Sequence, residues 1–411
     1  MTKPTPKDQG FEKVYQYYES QLVLPTFANL GDGQALEDYV RARADFFTGK
    51  LFLPPAVFRG ADVVEFGPDT GENALAFATW GADMTLVEPN IKAWPQIEKY
   101  FDAFGLAPRL KALVDSDVEE FTRDEPCNAV IAEGFIYTVQ PMEAWLGAFH
   151  RLLKTDGFFI VSFYERLGGF VELSLKAICA QYRAITDTPA GDAVKTLFQA
   201  KWDSIPHTRT IDSWIMDVFE NPFVRLNYFL DAADLCPQAG TNGFSLYSSW
   251  PKYQAPLEFD WHKTVLPLEE RRRRDEDHLL RSGLSFLTGR KLYLVLPDRE
   301  ALEGINRTLH QLVEDMDALI DGQGGETLTR CIGNLKEIIA ITAGGDFLSD
   351  RESDREDAVR FLGSLCRAFE MIAAGDAEGL AELTGTDDAF IGGWGLPNHF
   401  AVFQKRGNPP D

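Results

Sequence analysis

Short apolar segments alternate with amphipathic ones between residues 61 and 163, and no other feature constrains the fold as much. The predicted strands span 61–66, 84–88, 110–115, 128–133 and 157–163. The predicted helices between them span 71–80, 92–103, 117–122 and 141–154. A strand–helix repeat with short connections is typical of a parallel sheet covered by helices. The sequence therefore predicts an α/β fold for this segment.

A glycine turn with an acidic residue beside it closes the first predicted strand. Glu65 lies near the strand end, and Gly67, Asp69 and Gly71 belong to the turn that opens the next helix. Such a turn lets a ligand approach backbone N–H groups at the positive end of a helix. Open α/β sheets bind ligands at the carboxyl ends of their strands, so Glu65 is expected to face that ligand.

A second acidic residue, Glu88, closes the second strand about 20 residues past the glycine turn, where a carboxylate can accept hydrogen bonds from both ribose hydroxyls. A nicotinamide dinucleotide would also use such an acid. Its pyrophosphate, however, prefers a G-x-G-x-x-G turn with little negative charge nearby. This turn carries Asp69 and is followed by Glu72. The acidic loop therefore favours S-adenosylmethionine, whose sulfonium and ammonium groups are cations.

These residues resemble the motifs of the class I S-adenosylmethionine-dependent methyltransferases. The first family motif matches Val63–Gly71, with Asp69 in place of its middle glycine. Later motifs match at Glu88, Asp117, Ala129–Gly134 and Leu152–Val161. The resemblance implies a Rossmann-like, mostly parallel seven-stranded sheet with an antiparallel last strand, together with a helical insert and a helical C-terminal region. It also implies an enzyme that transfers a methyl group from S-adenosylmethionine.

The resemblance also implies positions for the cofactor and the acceptor. The implied cofactor-binding residues are Glu65, Gly67, Asp69, Gly71, Glu88, Asp117, Val118 and Glu133. The reactive methyl of this family lies above the end of strand four, so Glu133, Phe135 and Tyr137 are expected to meet the acceptor. N-terminal helices often cover the cofactor, and contacts to its carboxylate are considered for Tyr15, Tyr17, Tyr18 and Arg41, although packing roles are favoured for the tyrosines.

Methyl transfer is an in-line displacement that depends on holding the nucleophile and the sulfonium in line. A hydroxyl acceptor additionally needs a general base, whereas an amine needs only to be deprotonated. Glu133 and His207 are the candidate bases, with His262 a weaker one, and Tyr137 completes the catalytic candidates. For His207 an ordinary surface or packed histidine is the favoured interpretation. No residue cluster has metal-ligand spacing, so no metal is expected.

Charge and composition limit the partners. The formal net charge is −23, and a negative field repels phosphate backbones, so a nucleic-acid substrate is disfavoured. The basic run Arg271–Arg274 has acidic neighbours on both sides and is typical of a solvated helix face. The five cysteines have no CxxC spacing, and no apolar stretch is long enough to span a bilayer. We expect a cytoplasmic protein without a membrane partner.

The chain is expected to divide into four segments. These are an N-terminal helical cap (1–58), a cofactor-binding core (59–167), an acceptor-recognition insert (168–290) and a helical C-terminal region (291–411). Either Lys291–Leu296 or His399–Phe403 completes the sheet, and the C-terminal candidate is favoured, which would make the preceding helices an insertion. Heptad spacing from Leu302 to Leu319 fits a helix hairpin and a homodimer interface equally well.

Three functions stay open at this point. The acidic surface and the large insert favour an enzyme that methylates a small molecule or a glycan precursor. A protein or peptide methyltransferase would use the C-terminal helices to dock its partner. A non-catalytic interaction module is disfavoured because the cofactor motif is intact.

Overall fold

The computed structural model describes residues 33–206, 210–255, 263–264, 266–344, 347–348 and 352–407. Its strands are β1 Asp62–Phe66, β2 Asp83–Val87, β3 Leu110–Val114, β4 Cys127–Glu133, β5 Leu153–Tyr164, β6 Phe244–Trp250, β7 Tyr293–Leu294, β8 Phe347–Leu348 and β9 Asn398–Lys405. The first helices are α1 Gly33–Gly49, α2 Glu72–Thr79, α3 Trp94–Ala103 and α4 Met142–Leu152. The later helices are α5 Phe170–Thr186, α6 Ala190–Asp203, α7 Ile211–Trp214, α8 Ala232–Thr241, α9 Leu268–Thr288, α10 Arg299–Ile320, α11 Glu326–Gly344, α12 Glu352–Ala374, α13 Ala377–Thr386 and α14 Asp388–Ile391.

Seven strands form one sheet in the order β3-β2-β1-β4-β5-β9-β6. β1 pairs in parallel with β2 and β4, and the pairs β2–β3 and β4–β5 are also parallel. β9 runs antiparallel to β6. The sheet confirms the predicted fold class, a mostly parallel Rossmann-like sheet with an antiparallel last strand.

The two candidates for the last strand lie in different sheets. His399–Phe403 lies within β9, inside the seven-stranded sheet. The other candidate, Lys291–Leu296, contributes only β7, which pairs antiparallel with β8 in a separate two-stranded sheet. The favoured prediction of a C-terminal strand is therefore confirmed.

The central strands are buried on both faces, which explains why their sequences are continuous apolar runs. Residues Ala129 to Ala132 of β4 are fully buried, as are Val63 and Val64 of β1. Aromatic side chains of α1 and α2 pack on one side of the sheet unit, and the rings of Phe47 and Phe77 lie 5.5 Å apart. Because β2 and β4 both run parallel to β1, the carboxyl ends of these three strands lie at the same edge of the sheet.

The chain forms two compact units. The sheet unit comprises the described residues within Met1–Phe163, Ala233–Tyr253 and His399–Asp411. The helical unit comprises those within Tyr164–Ala232 and Gln254–Asn398. The four-segment division made from the sequence stays a prediction.

Two local predictions differ from the structure. No helix forms at 117–122: Asp117 Oδ1 accepts a hydrogen bond from the Glu120 backbone N–H (2.7 Å), as an N-cap residue does, but the segment makes only a single turn. In addition, β5 begins at Leu153, four residues earlier than predicted. The first 32 residues of the predicted N-terminal helical cap lie outside the described residues.

The heptad positions of α10 lie inside the helical unit. Leu302, Leu309, Leu312, Met316 and Leu319 are fully buried there. The helix-hairpin alternative therefore accounts for this spacing without a second chain. A homodimer stays a prediction that needs a different surface.

The aromatic side chains of the predicted insert also pack on one another. The rings of Trp202 and Trp214 are 5.2 Å apart, and the ring of Phe219 meets Trp214 edge-on at 5.0 Å. Both tryptophans are buried. The insert segment is rich in aromatic residues, and their packing shows that they form part of an ordinary helical core.

Candidate functional site

The turn after β1 adopts a backbone that few residue types tolerate. Gly67, Asp69 and Gly71 have positive φ angles of 59°, 54° and 91°. Glycine adopts such angles without strain, and aspartate adopts them more readily than most residues. Asp69 therefore fits the left-handed position where the family motif has its middle glycine. The departure from the motif leaves the shape of the turn intact.

Gly67 is also required by a close contact. A Cβ atom built on this residue would lie 2.7 Å from Cε1 of Phe135. Real Cβ atoms do not approach other heavy atoms this closely, so any larger side chain would displace the phenyl ring. The glycine turn and the segment after β4 are thus in direct contact.

Glu88 joins the end of the second strand to the glycine turn. Its Oε2 accepts a hydrogen bond from the Asp69 backbone N–H (3.2 Å), and its Oε1 accepts one from the Asn90 backbone N–H (2.8 Å). The pKa of Glu88 is raised to about 7, chiefly by burial; the charge of Asp69 contributes to the rise, and the hydrogen bonds from the Asn90 and Asp69 backbones oppose it. The carboxylate is positioned at the turn as the sequence predicted.

Glu65 lies in β1, beside the turn. Its side chain is only 1% exposed, and its Oε2 has no hydrogen-bond partner among the described residues. Burial raises the pKa of Glu65 to about 8, and the neighbouring Glu133 carboxylate adds to this effect. Burying a carboxylate oxygen without a hydrogen-bond donor is unfavourable, and a ligand that donates a hydrogen bond or carries a positive charge would offset this cost.

Arg43 enters the site from α1. Its Nη2 donates to Glu133 Oε1 (2.7 Å) and its Nη1 donates to Glu133 Oε2 (3.2 Å), a bidentate pair at the end of β4. The rings of Phe47 and Phe77 lie 5.1 and 5.3 Å from its guanidinium carbon. Burial alone would lower the pKa of Arg43, but Glu133 holds it above its ordinary value. Glu133 is therefore neutralised by a side chain of the N-terminal helix.

Arg43 was missed by the sequence reasoning, which named Arg41 instead. Arg41 is 67% exposed and pairs with Asp38 on the surface of α1. Tyr39, Arg43 and Phe47 are four residues apart and share one helical face, and this spacing is the signal that could have identified Arg43. The other considered contacts, Tyr15, Tyr17 and Tyr18, lie outside the described residues.

The predicted adenine-side residues follow β3 at the same edge of the sheet. The Glu88 backbone N–H donates to the carbonyl of Val114, the last residue of β3 (2.9 Å). Asp117 and Val118 come three and four residues later, with Asp117 half-buried and Val118 buried. The carboxyl ends of β2 and β3 thus adjoin one another where these residues lie.

The structure describes two of the four catalytic candidates, Glu133 and Tyr137. Glu133 ends β4 and is paired with Arg43, as described above. Tyr137 lies in the single-turn helix Ile136–Thr138 and is 2% exposed, so its side chain belongs to the interior of the sheet unit. His207 and His262 lie outside the described residues. The structure brings Glu133 to the glycine turn, and the roles of all these residues stay predictions.

Neither a metal-binding cluster nor a membrane-spanning helix is found among the described residues. In the part of the chain that the structure describes, no three His, Cys, Asp or Glu side chains are grouped so that they could hold a metal ion. No helix within those ranges combines the length and apolar character that crossing a bilayer requires.

Comparisons with known proteins identify the family. A family model described as a methyltransferase domain matches residues 39–249, just over half of the chain. This match runs from α1 to β6 and includes every residue of the predicted cofactor site. No curated protein matches the sequence.

Solved methyltransferase structures show distant similarity. A complex of the glycopeptide N-methyltransferase MtfA with S-adenosylhomocysteine is 18% identical, covering 27% of this chain and 48% of that chain (TM-score 0.25). A protein titled a putative sarcosine dimethylglycine methyltransferase from Galdieria sulphuraria is 10% identical, covering 97% and 99% (TM-score 0.35). PKMT2 from Rickettsia typhi is 16% identical, covering 56% and 46% (TM-score 0.36). The matched part of this chain spans about half the length of the MtfA structures.

The family match agrees with the strand order and with the glycine turn described above. The prediction of a methyltransferase family is confirmed, and the strand order agrees with the Rossmann-like sheet predicted for it. The chain belongs to the methyltransferase-domain family.

Proposed function

We propose that this enzyme binds S-adenosylmethionine at the glycine turn and methylates a small molecule or a glycan precursor. The observation that carries the proposal is the group of buried carboxylates at the turn, where one oxygen of Glu65 has no hydrogen-bond partner among the described residues. Unsatisfied buried charges are rare in the interior of a folded protein and are common where a ligand binds.

Each part of the cofactor has a complementary group in the sheet unit. Glu88 would accept hydrogen bonds from the ribose hydroxyls, while Asp117 and Val118 would contact the adenine. The turn at Gly67, Asp69 and Gly71 would receive the methionine portion. The ammonium would lie near the carboxylates of Glu65 and Glu133. When bound, the cofactor supplies a methyl group on a positively charged sulfur.

The charge of the site supports this cofactor over a dinucleotide. Glu65, Glu72, Glu88 and Glu133 contribute four carboxyl groups, whereas Arg43 contributes one cation. A pyrophosphate placed at this turn would meet repulsion from the acidic side chains. A sulfonium and an ammonium would instead be attracted.

The state of Glu133 bears on the atom that is methylated. Both carboxylate oxygens of Glu133 already accept a hydrogen bond from Arg43, so this carboxylate is engaged by the guanidinium. An acceptor nitrogen can lose its proton to solvent before the transfer, so it needs no base from the protein. The geometry therefore supports N-methylation, and O-methylation would require another base such as His207.

The acceptor class is supported by charge alone. A formal charge of −23 opposes nucleic acids and acidic polymers and is compatible with a neutral or cationic metabolite. A protein or peptide acceptor is the main alternative, and a non-catalytic interaction module is the third. A cytoplasmic setting and a homodimer also stay predictions.

Methyl transfer from a radiolabelled cofactor tests the proposal. The protein would be incubated with S-adenosylmethionine labelled on the methyl group and with separate pools of amines, amino sugars, peptides and nucleic acids. Label in a small amine or sugar supports the proposal, and label confined to peptides would replace it with the protein-methyltransferase alternative. Glu65→Gln should reduce the transfer, and Glu98→Gln, which changes an exposed carboxylate on α3, should leave it unchanged.

A further inference from the structure

Phe135 holds a fixed position beside the glycine turn. Its ring would meet a Cβ of Gly67 at 2.7 Å. Its carbonyl accepts hydrogen bonds from the Thr138 backbone N–H and from Thr138 Oγ1, both at 2.8 Å. On the other side, Gly134 has a φ of 81° and donates to the Ser162 carbonyl (3.1 Å). The backbone on both sides thus directs the ring towards Gly67.

An acidic residue precedes each of the two residues in this contact. Phe135 follows Glu133 by two residues, and Gly67 follows Glu65 by two residues. The ring is half-buried and therefore keeps part of its surface open. A ligand that lies along the glycine turn would meet both the ring and the carboxylates. An aromatic ring attracts a cation through its negative face, and the attraction increases when water is excluded.

We propose that Phe135 contacts the sulfonium of the bound cofactor and makes the site prefer S-adenosylmethionine over S-adenosylhomocysteine. The inference rests on the proposed placement of the cofactor at the glycine turn. The product has lost the methyl group together with the positive charge on sulfur. The contact with the ring is therefore strong before the transfer and weak after it, which aids release of the product.

Calorimetric titration of the full chain with each of the two compounds tests this assignment. Phe135→Leu should weaken binding of S-adenosylmethionine about fivefold and change binding of S-adenosylhomocysteine less than about twofold. Phe135→Tyr keeps the aromatic ring and should retain the preference of the natural protein. Phe104→Leu changes another half-buried phenylalanine of the same unit, beyond the end of α3, and should affect neither compound.

Two results would overturn the assignment. If Phe135→Leu weakens both compounds equally, the ring only packs against the turn. If it changes neither, the ring does not contact the cofactor. Thermal melting checks that each variant is folded, and Phe135→Met is a second non-aromatic variant if leucine prevents folding. Failure of the natural protein to bind either compound would instead refute the cofactor site itself, so the two failures are distinguishable.

Discussion

The helical unit and the glycine turn both bury charged groups, but they do so in opposite ways. In the helical unit Lys201 is fully buried, and its Nζ donates to the carbonyls of Phe390 (2.7 Å) and Gly393 (2.5 Å). Its ammonium also lies 4.5 Å from the ring centre of Trp394. At the glycine turn Glu65 is equally buried, and one of its oxygens has no donor among the described residues.

The pKa values of the two groups shift for the same reason and in opposite directions. Burial lowers the pKa of Lys201 to about 7, although the nearby Glu172 carboxylate opposes the shift. Burial raises the pKa of Glu65 to about 8, and Glu133 adds to the shift. The helical unit supplies hydrogen-bond acceptors for the Lys201 ammonium, whereas one oxygen of Glu65 has no donor among the described residues. A satisfied buried charge stabilises a fold, whereas an unsatisfied one indicates a binding site.

The helical unit also contains a buried carboxylate, that of Glu172. Its Oε2 also has no hydrogen-bond partner among the described residues, and burial raises its pKa to about 7. The charge of Lys201, however, lowers that pKa and compensates part of the burial. Glu65 has the opposite surroundings, because carboxylates dominate its neighbourhood.

The largest effect is expected at Lys201. Lys201→Met would leave the carbonyls of Phe390 and Gly393 without their donor, so the free energy of unfolding should fall by about 3 kcal/mol. Denaturant titration with circular dichroism measures this change. Lys195→Met removes an exposed lysine of the same helix, α6, and should leave stability unchanged. Equal stability of the two variants would contradict a structural role for Lys201.

For Glu65→Gln we expect the free energy of unfolding to rise, the opposite of the change expected for Lys201→Met. Because the pKa of Glu65 is about 8 in the folded state and near 4.5 when unfolded, the folded state holds an extra proton between these values. Its contribution to stability therefore falls as pH rises from about 4.5 to 8. The glutamine variant should be about 2 kcal/mol more stable than the natural protein at pH 9 and about equal to it at pH 4.5.

The same variant should bind S-adenosylmethionine about tenfold more weakly, because the amide no longer attracts the ammonium. Melting curves across this pH range and calorimetry at pH 9 measure the two effects. Loss of stability at pH 9 would show that Glu65 supports the fold, and the contrast with Lys201 would then disappear.

A smaller effect is expected from Gly67→Ala. The positive φ and the contact with Phe135 should together destabilise the fold by about 1–2 kcal/mol. Combining it with Phe135→Leu should recover part of this loss, since the smaller side chain makes room for the new methyl group. Denaturant titration of both single variants and the double variant gives the coupling energy. Strict additivity would show that the ring does not restrict Gly67.

The parts of the site that sequence predicts are those formed by consecutive residues. Glu65 lies in the short apolar strand β1, the glycine turn and Glu88 directly follow β1 and β2, and the strand order brings all of them to one edge of the sheet. The position of β9 was also predictable, because its sequence has the alternating pattern of a strand. These features depend on local periodicity, which the sequence displays directly.

The features that sequence did not predict depend on packing between distant segments. Arg43 reaches Glu133 across 90 positions, and only the orientation of α1 selects it over Arg41. The approach of Phe135 to Gly67 likewise requires the relative positions of β1 and β4. At 117–122 the sequence carries a capping aspartate, and the structure shows that the segment ends after the single turn that Asp117 caps.

Calorimetric titration with S-adenosylmethionine and with NAD tests the central claim most directly. We expect the natural protein and Glu98→Gln to bind S-adenosylmethionine with equal affinity and not to bind NAD. Glu88→Gln should bind S-adenosylmethionine at least about tenfold more weakly, because the amide presents one acceptor oxygen to the ribose where the carboxylate presents two. Binding of NAD, or unchanged affinity in Glu88→Gln, would contradict the assignment of the cofactor to the carboxylates of the glycine turn.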